Sequence, residues 1–375
     1  SDLLLREYEV FVAHFPAWTS GAGILYLNRN VPEIATVFTA HATVLGRALA
    51  ETGVDPFTVL EGRSAMDEAS RLNVAAKHSI ETAAAVQADC MTAVSEIMSE
   101  EVSRILGRAP QMVLPNGISI DDFSSCVAKP EAENSSRRAI LAFASGFLQK
   151  ELSADKTSLF LITGRYDFRD KGIDLFLEAL KALNDDLRRA QSGRGVVAVL
   201  GLIGSHRGVT PETSRILRGE EGVLRSGISR ICTHQLAEPQ HDAVWNACNA
   251  LNLTNNTDDT VNIIFMPLYL DGYDGLLNLS YEDVLAGCDL GVFPSVYEPW
   301  GYTPLEGAAH CLPTITTDRS GFGLQVRREL AESDGGVMIL NVRNKTREEI
   351  VESLKSAFSE VVEWTPKERA RQRRR

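Results

Sequence analysis

The sequence has no long apolar run and no patterned cysteines. No stretch approaches the ~20 consecutive apolar residues that a membrane span needs. The first residues lack the basic, apolar and small-residue regions of a signal peptide. The six cysteines are scattered, without a CxxC motif or a histidine at ligand spacing, so we expect reduced thiols rather than disulfides or a zinc site. These absences favour a cytoplasmic protein.

Positive charge is also scarce. The net charge of −12 argues against a general nucleic-acid-binding protein, because phosphate contacts need clustered Lys and Arg. The arginine-rich tail at 367–375 is the exception. With 375 residues and 44% hydrophobic composition the chain can bury two ordinary cores, so we expect two domains.

The order of apolar runs predicts an α/β fold. After residue 151, strand-like runs alternate with segments of helical periodicity, one of which begins at Ile173. This alternation is typical of a parallel, doubly wound sheet with helices on both faces. The predicted strands of this part lie at 159–163, 196–203, 261–266, 290–293, 314–316 and 337–340.

The first 125 residues have a similar but less complete pattern. The polar segment 129–138 that follows them is predicted to be a linker, which places the domain boundary near residue 130. In the first part we predict a helix at 75–88 and strands at 10–13, 35–38, 90–94 and 111–114.

The loop between the strand ending at Phe293 and the helix around Pro304 is the most informative segment. It contains the sequence Tyr297-Glu-Pro-Trp-Gly-Tyr-Thr-Pro-Leu-Glu306. Pro304 fits the first turn of a helix, where its missing N–H costs nothing. This geometry leaves backbone N–H groups beside the positive end of the helix dipole, which suits a diphosphate. These groups belong to Gly301, Tyr302 and Thr303.

Two glutamates lie in the same segment, with seven residues between them. Glu298 precedes the helix and Glu306 lies inside its first turn, so both can face the crevice at the carboxyl end of the sheet. Carboxylates in such a crevice accept hydrogen bonds from sugar and ribose hydroxyls and can stabilise a positive anomeric carbon. The alternative is that one glutamate caps the helix and the other is a solvated surface residue.

Two further strand ends carry cations and a histidine. Arg165 and Lys171 follow one predicted strand, where they can clamp a diphosphate, although loop cations are usually only solvated. His41 and Arg47 follow another, where the imidazole can donate to a sugar hydroxyl and the guanidinium can contact a phosphate. A lone histidine is more often structural, so both interpretations stay open for this pair.

Together these segments resemble the eukaryote-type glycogen synthases and their bacterial relatives. The resemblance runs along nearly the whole chain, and the run from Tyr297 to Glu306 is highly specific. The spacing of the two glutamates alone would fit many retaining glycosyltransferases. The segments that carry the resemblance are 41–47, 114–118, 164–172, 232–234, 297–306 and 320–323.

The resemblance implies a GT-B α/β fold, in which two Rossmann-like, doubly wound domains face each other across a cleft. It implies that 1–130 is the C-terminal part of the N-terminal, acceptor-side domain, and that 131–345 binds the nucleotide sugar. It further implies that 346–375 is a helix crossing back toward the first domain. No match to the family's glycine-rich loop on its first strand is present, so we expect an incomplete first domain and a chain cut at both ends.

The implied activity is transfer of glucose from a nucleotide sugar to the non-reducing 4-hydroxyl of an α-1,4-glucan, with retention and without a metal ion or cofactor. UDP-glucose is favoured, but the sequence does not decide between it and ADP-glucose. A homo-oligomer is expected from the family alone. The alternatives are another retaining GT-B glycosyltransferase or a non-catalytic glucan-binding scaffold.

The resemblance also implies roles for residues that contact the phosphates and the sugar. Arg165 and Lys171 would bind the donor diphosphate, with Arg47 nearby. His41 would contact the transferred glucose. Glu298 would be the carboxylate closest to the anomeric centre, either as the nucleophile or beside a same-face attack guided by the leaving phosphate.

Implied contacts to the nucleoside complete the predicted site. Glu306 would hold the ribose, Tyr281 would stack on the base, and Tyr269 would flank it. Backbone contacts to the phosphates or the sugar would come from Gly301, Tyr302 and Thr303.

Overall fold

The chain folds into two compact units. The computed structural model describes residues 11–54, 56, 63–119, 130–220, 222–330 and 336–374. The first unit comprises Ser1–Gly117 with two later segments, Val296–Gly301 and Arg319–Glu329. The second unit comprises Ile118–Ser295, Tyr302–Asp318 and Leu330–Arg375. In the described residues, no helix is both long enough and apolar enough to span a bilayer.

A parallel sheet forms the centre of the first unit. Its strands are β1 (Val12–Pro16), β2 (Ala35–Ala40), β3 (Cys90–Ala93) and β4 (Met112–Val113), paired in that order. Side chains buried completely between the sheet and its helices include Phe38, Leu45 and Met98. The helices are α1 (Ala17–Asn30), α2 (Val44–Glu51), α3 (Ala65–Arg71), α4 (Ala75–Gln87), α5 (Glu96–Ile105) and α12 (Gly321–Glu329).

The second unit is built on a larger sheet in which every strand pair is parallel. The strands of this unit are β5 (Thr157–Arg165), β6 (Gly195–Ile203), β7 (His206–Val209), β8 (His234–Leu236), β9 (Val261–Met266), β10 (Leu290–Val292), β11 (Thr314–Thr317) and β12 (Val337–Leu340). The strand order of the large sheet is β12-β11-β10-β5-β6-β9, and β7 and β8 form a separate antiparallel pair.

Helices cover both faces of this sheet, so its central strands are nearly continuous buried apolar runs. The predicted helix at Ile173 is present, and its periodic apolar residues, including Phe176 and Leu180, are fully buried. The helices are α6 (Pro130–Leu148), α7 (Ile173–Ala190), α8 (Pro211–Leu217), α9 (Ala243–Ala250), α10 (Tyr281–Gly287), α11 (Tyr302–Ala309), α13 (Arg347–Glu363) and α14 (Pro366–Gln372).

The predicted parallel α/β organisation is confirmed, but the predicted linker at 129–138 is wrong from residue 130 onward. Helix α6 begins at Pro130. The sequence of its first half is polar and has no periodic apolar pattern, and the buried apolar side chains described for this helix lie between Ile140 and Phe147. The five described cysteines carry free thiols, as expected, and Cys126 lies outside the described residues.

The strand order of the second sheet reverses between β5 and β10. From β5 the chain proceeds outward through β6 to β9, and it then returns to place β10 on the other side of β5. In open α/β sheets, ligands bind beyond the carboxyl ends of the strands at such a switch point. The loops that follow β5 and β10 therefore mark the place to look for a site in this unit.

Helix α13 contributes an aromatic side chain to the core of the second unit. The Phe358 ring lies 5.1 Å from the Phe160 ring and 5.8 Å from the Phe176 ring, measured between centroids. Helix α14 follows, and Arg369 donates to the carbonyl oxygens of Ala154 and Asp155 in the same unit. The crossing of the C-terminal helix toward the first domain stays a prediction.

We expect Phe358→Ala to lower the free energy of unfolding of the second unit by about 3 to 5 kcal/mol, because it leaves a cavity among well-packed rings. Chemical denaturation followed by fluorescence measures this loss. Leu224→Ala is the control, since that side chain is 91% exposed and its removal should change stability by about 0.5 kcal/mol or less. Equal losses in the two variants would show that α13 is not part of this core.

Candidate active site

The residues predicted from sequence to form the site are divided between the two units. His41, Arg47, Glu298 and Gly301 belong to the first unit. The two glutamates of the predicted pair are therefore carried by different units. The second unit holds Arg165, Lys171, Tyr269, Tyr281, Tyr302, Thr303 and Glu306.

In the second unit, the loops after β5 and β10 pack tightly against each other at the switch point. Gly172 has a φ of 64°, and a Cβ at this position would lie 2.1 Å from the carbonyl oxygen of Pro294. Only glycine fits such an approach between two backbones. The contact fixes the end of the β5 loop, and hence Lys171, beside the residues that leave β10.

Two cations lie at the end of β5 and on the loop that follows it. Arg165 is the last residue of the strand, and its side chain is 56% exposed and paired with Asp167 at 2.8 Å. Exposed ion pairs contribute little to stability, so the guanidinium can exchange this partner for a diphosphate at low cost. The backbone N–H of Lys171 donates to the Asp167 carbonyl at 3.0 Å, which closes the turn in front of α7.

Helix α11 begins beside the same strand end. It starts at Tyr302, and Pro304 lies in its first turn, as predicted. The N–H groups of that turn have no carbonyl partner within the helix and lie at the positive end of its dipole. A Cβ placed on Gly164 near the end of β5 would be 3.8 Å from the Thr303 methyl group. The start of α11 and the end of β5 are therefore close neighbours.

Glu306 on α11 forms a polar contact with Tyr281 on α10. Partial burial raises the pKa of the Glu306 carboxyl, while a hydrogen bond from the Tyr281 hydroxyl acts in the opposite direction. The Thr163 hydroxyl donates to the same tyrosine oxygen at 3.4 Å, and the tyrosine ring packs on the hydrophobic core near α6. Tyr269, by contrast, is 70% exposed. The stacking of these two rings on a base stays a prediction.

In the first unit, His41 and Arg47 flank the start of α2. Thr43 caps this helix, because its hydroxyl accepts a hydrogen bond from the Gly46 N–H at 2.8 Å. His41 is accessible to solvent, but neighbouring atoms partly desolvate its ring. This desolvation, and to a lesser extent the charge of the nearby His14, lower the pKa of His41. The imidazole is therefore neutral at physiological pH, and it can both donate and accept a hydrogen bond.

Glu298 is held in the first unit by its backbone. Its N–H donates to the Arg319 carbonyl at 3.2 Å, and its carbonyl accepts from the Gly321 N–H at 3.1 Å. The Ser95 hydroxyl donates to the next carbonyl, that of Pro299, at 2.6 Å. The short segment Val296–Gly301 is thus anchored to the first unit, although β10 and α11 on either side of it belong to the second.

Two buried glutamates of the first unit were not predicted from the sequence. Glu81 on α4 and Glu101 on α5 are each only 1% exposed. Burial raises the pKa of Glu81 to about 8 and that of Glu101 to about 7. A signal was present, because Glu101 falls on the apolar stripe of its helix between Met98 and Val102.

Known structures with the GT-B fold share this architecture. Sucrose-phosphate synthase from Thermosynechococcus elongatus superposes with a TM-score of 0.53 at 18% identity, over all of this chain and 70% of that one. A UDP-forming α,α-trehalose-phosphate synthase from Burkholderia vietnamiensis gives 0.56 at 10% identity, over 96% of this chain and 68% of that one. The two sheets correspond to the two Rossmann-like domains of the GT-B fold.

The family is defined more narrowly by sequence. The glycogen synthase family model matches residues 4–217 and 211–375, and the chain belongs to this family. It is 31% identical to glycogen [starch] synthase isoform 2 of Saccharomyces cerevisiae over 99% of its length. It is 29% identical to the liver glycogen [starch] synthase of Rattus norvegicus over 97% of its length. The chain spans 61% and 59% of the lengths of these two relatives.

The raised pKa values of Glu81 and Glu101 predict how the first unit responds to pH. Between the ordinary glutamate value, near 4.5, and about 7 to 8, the folded state binds more protons than the unfolded state. Stability of this unit should therefore fall as pH rises through that window. Glu81→Gln should make the fall shallower, because an amide does not ionise.

Thermal unfolding between pH 5 and pH 8 measures the effect. Glu68→Gln is the control, since hydrogen bonds from Arg63 and Arg71 lower the pKa of that carboxyl, so it does not titrate in this window. A Glu81→Gln variant with the same pH slope as the wild type would show that Glu81 is ionised in the folded protein throughout.

Proposed function

We propose that this protein is a glycogen synthase, which transfers glucose from a nucleotide sugar to the non-reducing 4-hydroxyl of an α-1,4-glucan with retention. The proposal rests mainly on which groups lie close together at the switch point of the second sheet. There Arg165, Lys171 and the first turn of α11 lie on adjacent loops. The membership of the chain in the glycogen synthase family supports the choice of substrates.

The proposed donor site supplies positive charge where the leaving group needs it. Departure of a nucleoside diphosphate leaves negative charge on the phosphate oxygens. A guanidinium, an ammonium and the N–H groups of a helix start are the donors that stabilise such charge best. In this assignment Arg165 and Lys171 take the diphosphate, and backbone groups of Gly301, Tyr302 and Thr303 contact the phosphates or the sugar.

The nucleoside is assigned to the same unit. Glu306 accepts hydrogen bonds from the ribose hydroxyls, and its contact with Tyr281 orients the carboxyl group for them. Tyr281 and Tyr269 are assigned to the base. We favour UDP-glucose over ADP-glucose, in line with the UDP-forming relative of the same fold.

The transferred glucose is assigned to residues of the first unit. His41 contacts its hydroxyls as a neutral imidazole, and Arg47 adds positive charge near the phosphates. Glu298 is the carboxylate nearest the anomeric centre, where it stabilises the oxocarbenium-like transition state. Retention follows either from a covalent intermediate on Glu298 or from attack on the same face guided by the leaving phosphate.

Domain roles follow from these assignments. We propose that 1–130 carries the acceptor side, that 131–345 binds the donor, and that 346–375 crosses back toward the first domain. We further propose a cytoplasmic location, in keeping with the free thiols of the described cysteines, and a homo-oligomeric state.

We expect Lys171→Ala to raise the Kd for UDP by about 10-fold to 150-fold, because it removes a charge-assisted hydrogen bond worth about 1.5 to 3 kcal/mol. Isothermal titration with UDP measures the change. Lys181→Ala is the matched control, since that lysine lies on α7 and pairs with Asp185 one turn away. Unchanged UDP affinity in Lys171→Ala would remove this residue from the donor site.

We expect Glu298→Ala to lower kcat for glucose transfer by about 100-fold to 1000-fold, because it removes electrostatic stabilisation of the transition state. Incorporation of label from UDP-glucose and from ADP-glucose into glycogen measures the rate and names the donor. Glu329→Ala, at the end of α12, is the control and should retain full activity. Absence of transfer by the wild type from either donor would refute the proposed function and leave another acceptor or a glucan-binding scaffold.

A further inference from the structure

The buried glutamate of α5 joins two segments that are far apart in the sequence. Oε1 of Glu101 accepts hydrogen bonds from the Thr43 N–H at 3.1 Å and from the Thr43 hydroxyl at 2.6 Å. It also accepts one from the Tyr297 hydroxyl at 3.0 Å. All three residues belong to the first unit. One carboxylate oxygen thus holds the start of α2 and the loop that follows β10.

The carboxylate lies directly against the first turn of α2. A Cβ on Gly46 would be 2.4 Å from Oε1 of Glu101 and 2.7 Å from the Thr43 hydroxyl oxygen. Any larger residue at this position would push the carboxylate away from the helix start. The neighbouring N–H, that of Val44, donates to Glu81 at 2.9 Å, so the two buried carboxyl groups accept the N–H groups of Thr43 and Val44 at this helix start.

A glutamate is a costly choice for this position if it serves only to fill the core. Burying a carboxyl group carries a large desolvation penalty, and the nearby Glu81 adds repulsion that Arg47 offsets in part. The other residues of the same buried stripe are Ile97, Met98, Val102 and Ile105. A leucine would continue that stripe at lower cost, but it would accept none of the three hydrogen bonds.

Each segment that Glu101 holds carries residues of the proposed site. Thr43 lies between His41 and Arg47, and Tyr297 immediately precedes Glu298. On the strength of the proposed function, we propose that Glu101 is a positioning residue. Through Thr43 and the Tyr297 hydroxyl, it fixes the sugar-binding histidine and the carboxylate of Glu298 relative to each other within the first unit.

The link itself is tested without any enzymatic activity. Hydrogen–deuterium exchange of the backbone is measured for the segments 41–47 and 296–301. We expect Tyr297→Phe to speed exchange in 41–47 by at least about threefold, because the shared carboxylate loses one of its anchors. Tyr26→Phe, which removes an exposed phenol hydroxyl in the same unit, should change neither segment. Unchanged exchange at 41–47 in Tyr297→Phe would overturn the proposal.

The catalytic consequence is tested by kinetics with a nucleotide sugar and glycogen. We expect Tyr297→Phe and Glu101→Ala to lower kcat by about tenfold or more while KM for the donor changes less than about threefold, because Arg165 and Lys171, which are assigned to the diphosphate, lie in the other unit. Glu101→Gln should restore kcat to within about threefold of the wild type, since its amide oxygen accepts the same donors.

Two controls separate positioning from a loss of folded protein and from a wrong function. Glu68→Gln alters another buried glutamate of the first unit, on α3, and should leave kcat unchanged. Melting temperatures of all variants verify that each is folded at the assay temperature.

If the wild type transfers no glucose, the proposed function fails and the exchange experiment alone decides the link. If the wild type is active but Tyr297→Phe keeps full kcat, the positioning role is refuted while the function stands.

Discussion

The reversal of strand order between β5 and β10 is the constraint on which the proposed donor site depends. It places the carboxyl ends of two non-consecutive strands side by side, so that the loops after them share one edge of the sheet. The contact of Gly172 with the Pro294 carbonyl shows how little space separates these loops. The end of β5, which carries Arg165, and the helix start that follows β10 thereby lie close together.

In the first unit, contacts with residues outside the loops hold the loops that carry polar residues of the proposed site. The backbone of Glu298 is fixed by residues 319–321, and the Tyr297 side chain reaches Glu101 in the core. Thr43 contacts the same glutamate from the helix that carries Arg47. Anchoring loops to a buried carboxyl group costs desolvation energy but leaves little freedom to the side chains beside them.

Much of this architecture could be predicted from sequence because strands buried on both faces and amphipathic helices have distinct periodicities. The strands of the second sheet and the position of Pro304 in the first turn of α11 follow from local pattern alone. Helix α6 was not predicted because the sequence of its first half is polar and lacks periodic apolar residues. Strand order, and therefore the switch point, depends on long-range pairing that no local pattern encodes.

The candidate site also contains residues that the sequence predicts and one that it does not. The sequence predicts site residues such as Arg165, Lys171 and Glu298 because they lie at or just after the ends of strands. Polar residues at the carboxyl ends of parallel strands lie along one edge of the sheet. Glu101 could not be predicted, because a glutamate in a helix is normally a surface residue and its burial depends on neighbours far away in the sequence. Its position on an apolar stripe was the available hint. The assignment of His41 and Glu298 to one unit and Arg165 to the other is likewise a property of the fold.

A crystal structure of the protein with UDP bound at saturation tests the proposed donor site most directly. We expect diphosphate density at the switch point of the second sheet, in contact with Lys171 and with the backbone N–H groups at the start of α11. Diphosphate density at any other place on the protein would exclude this site.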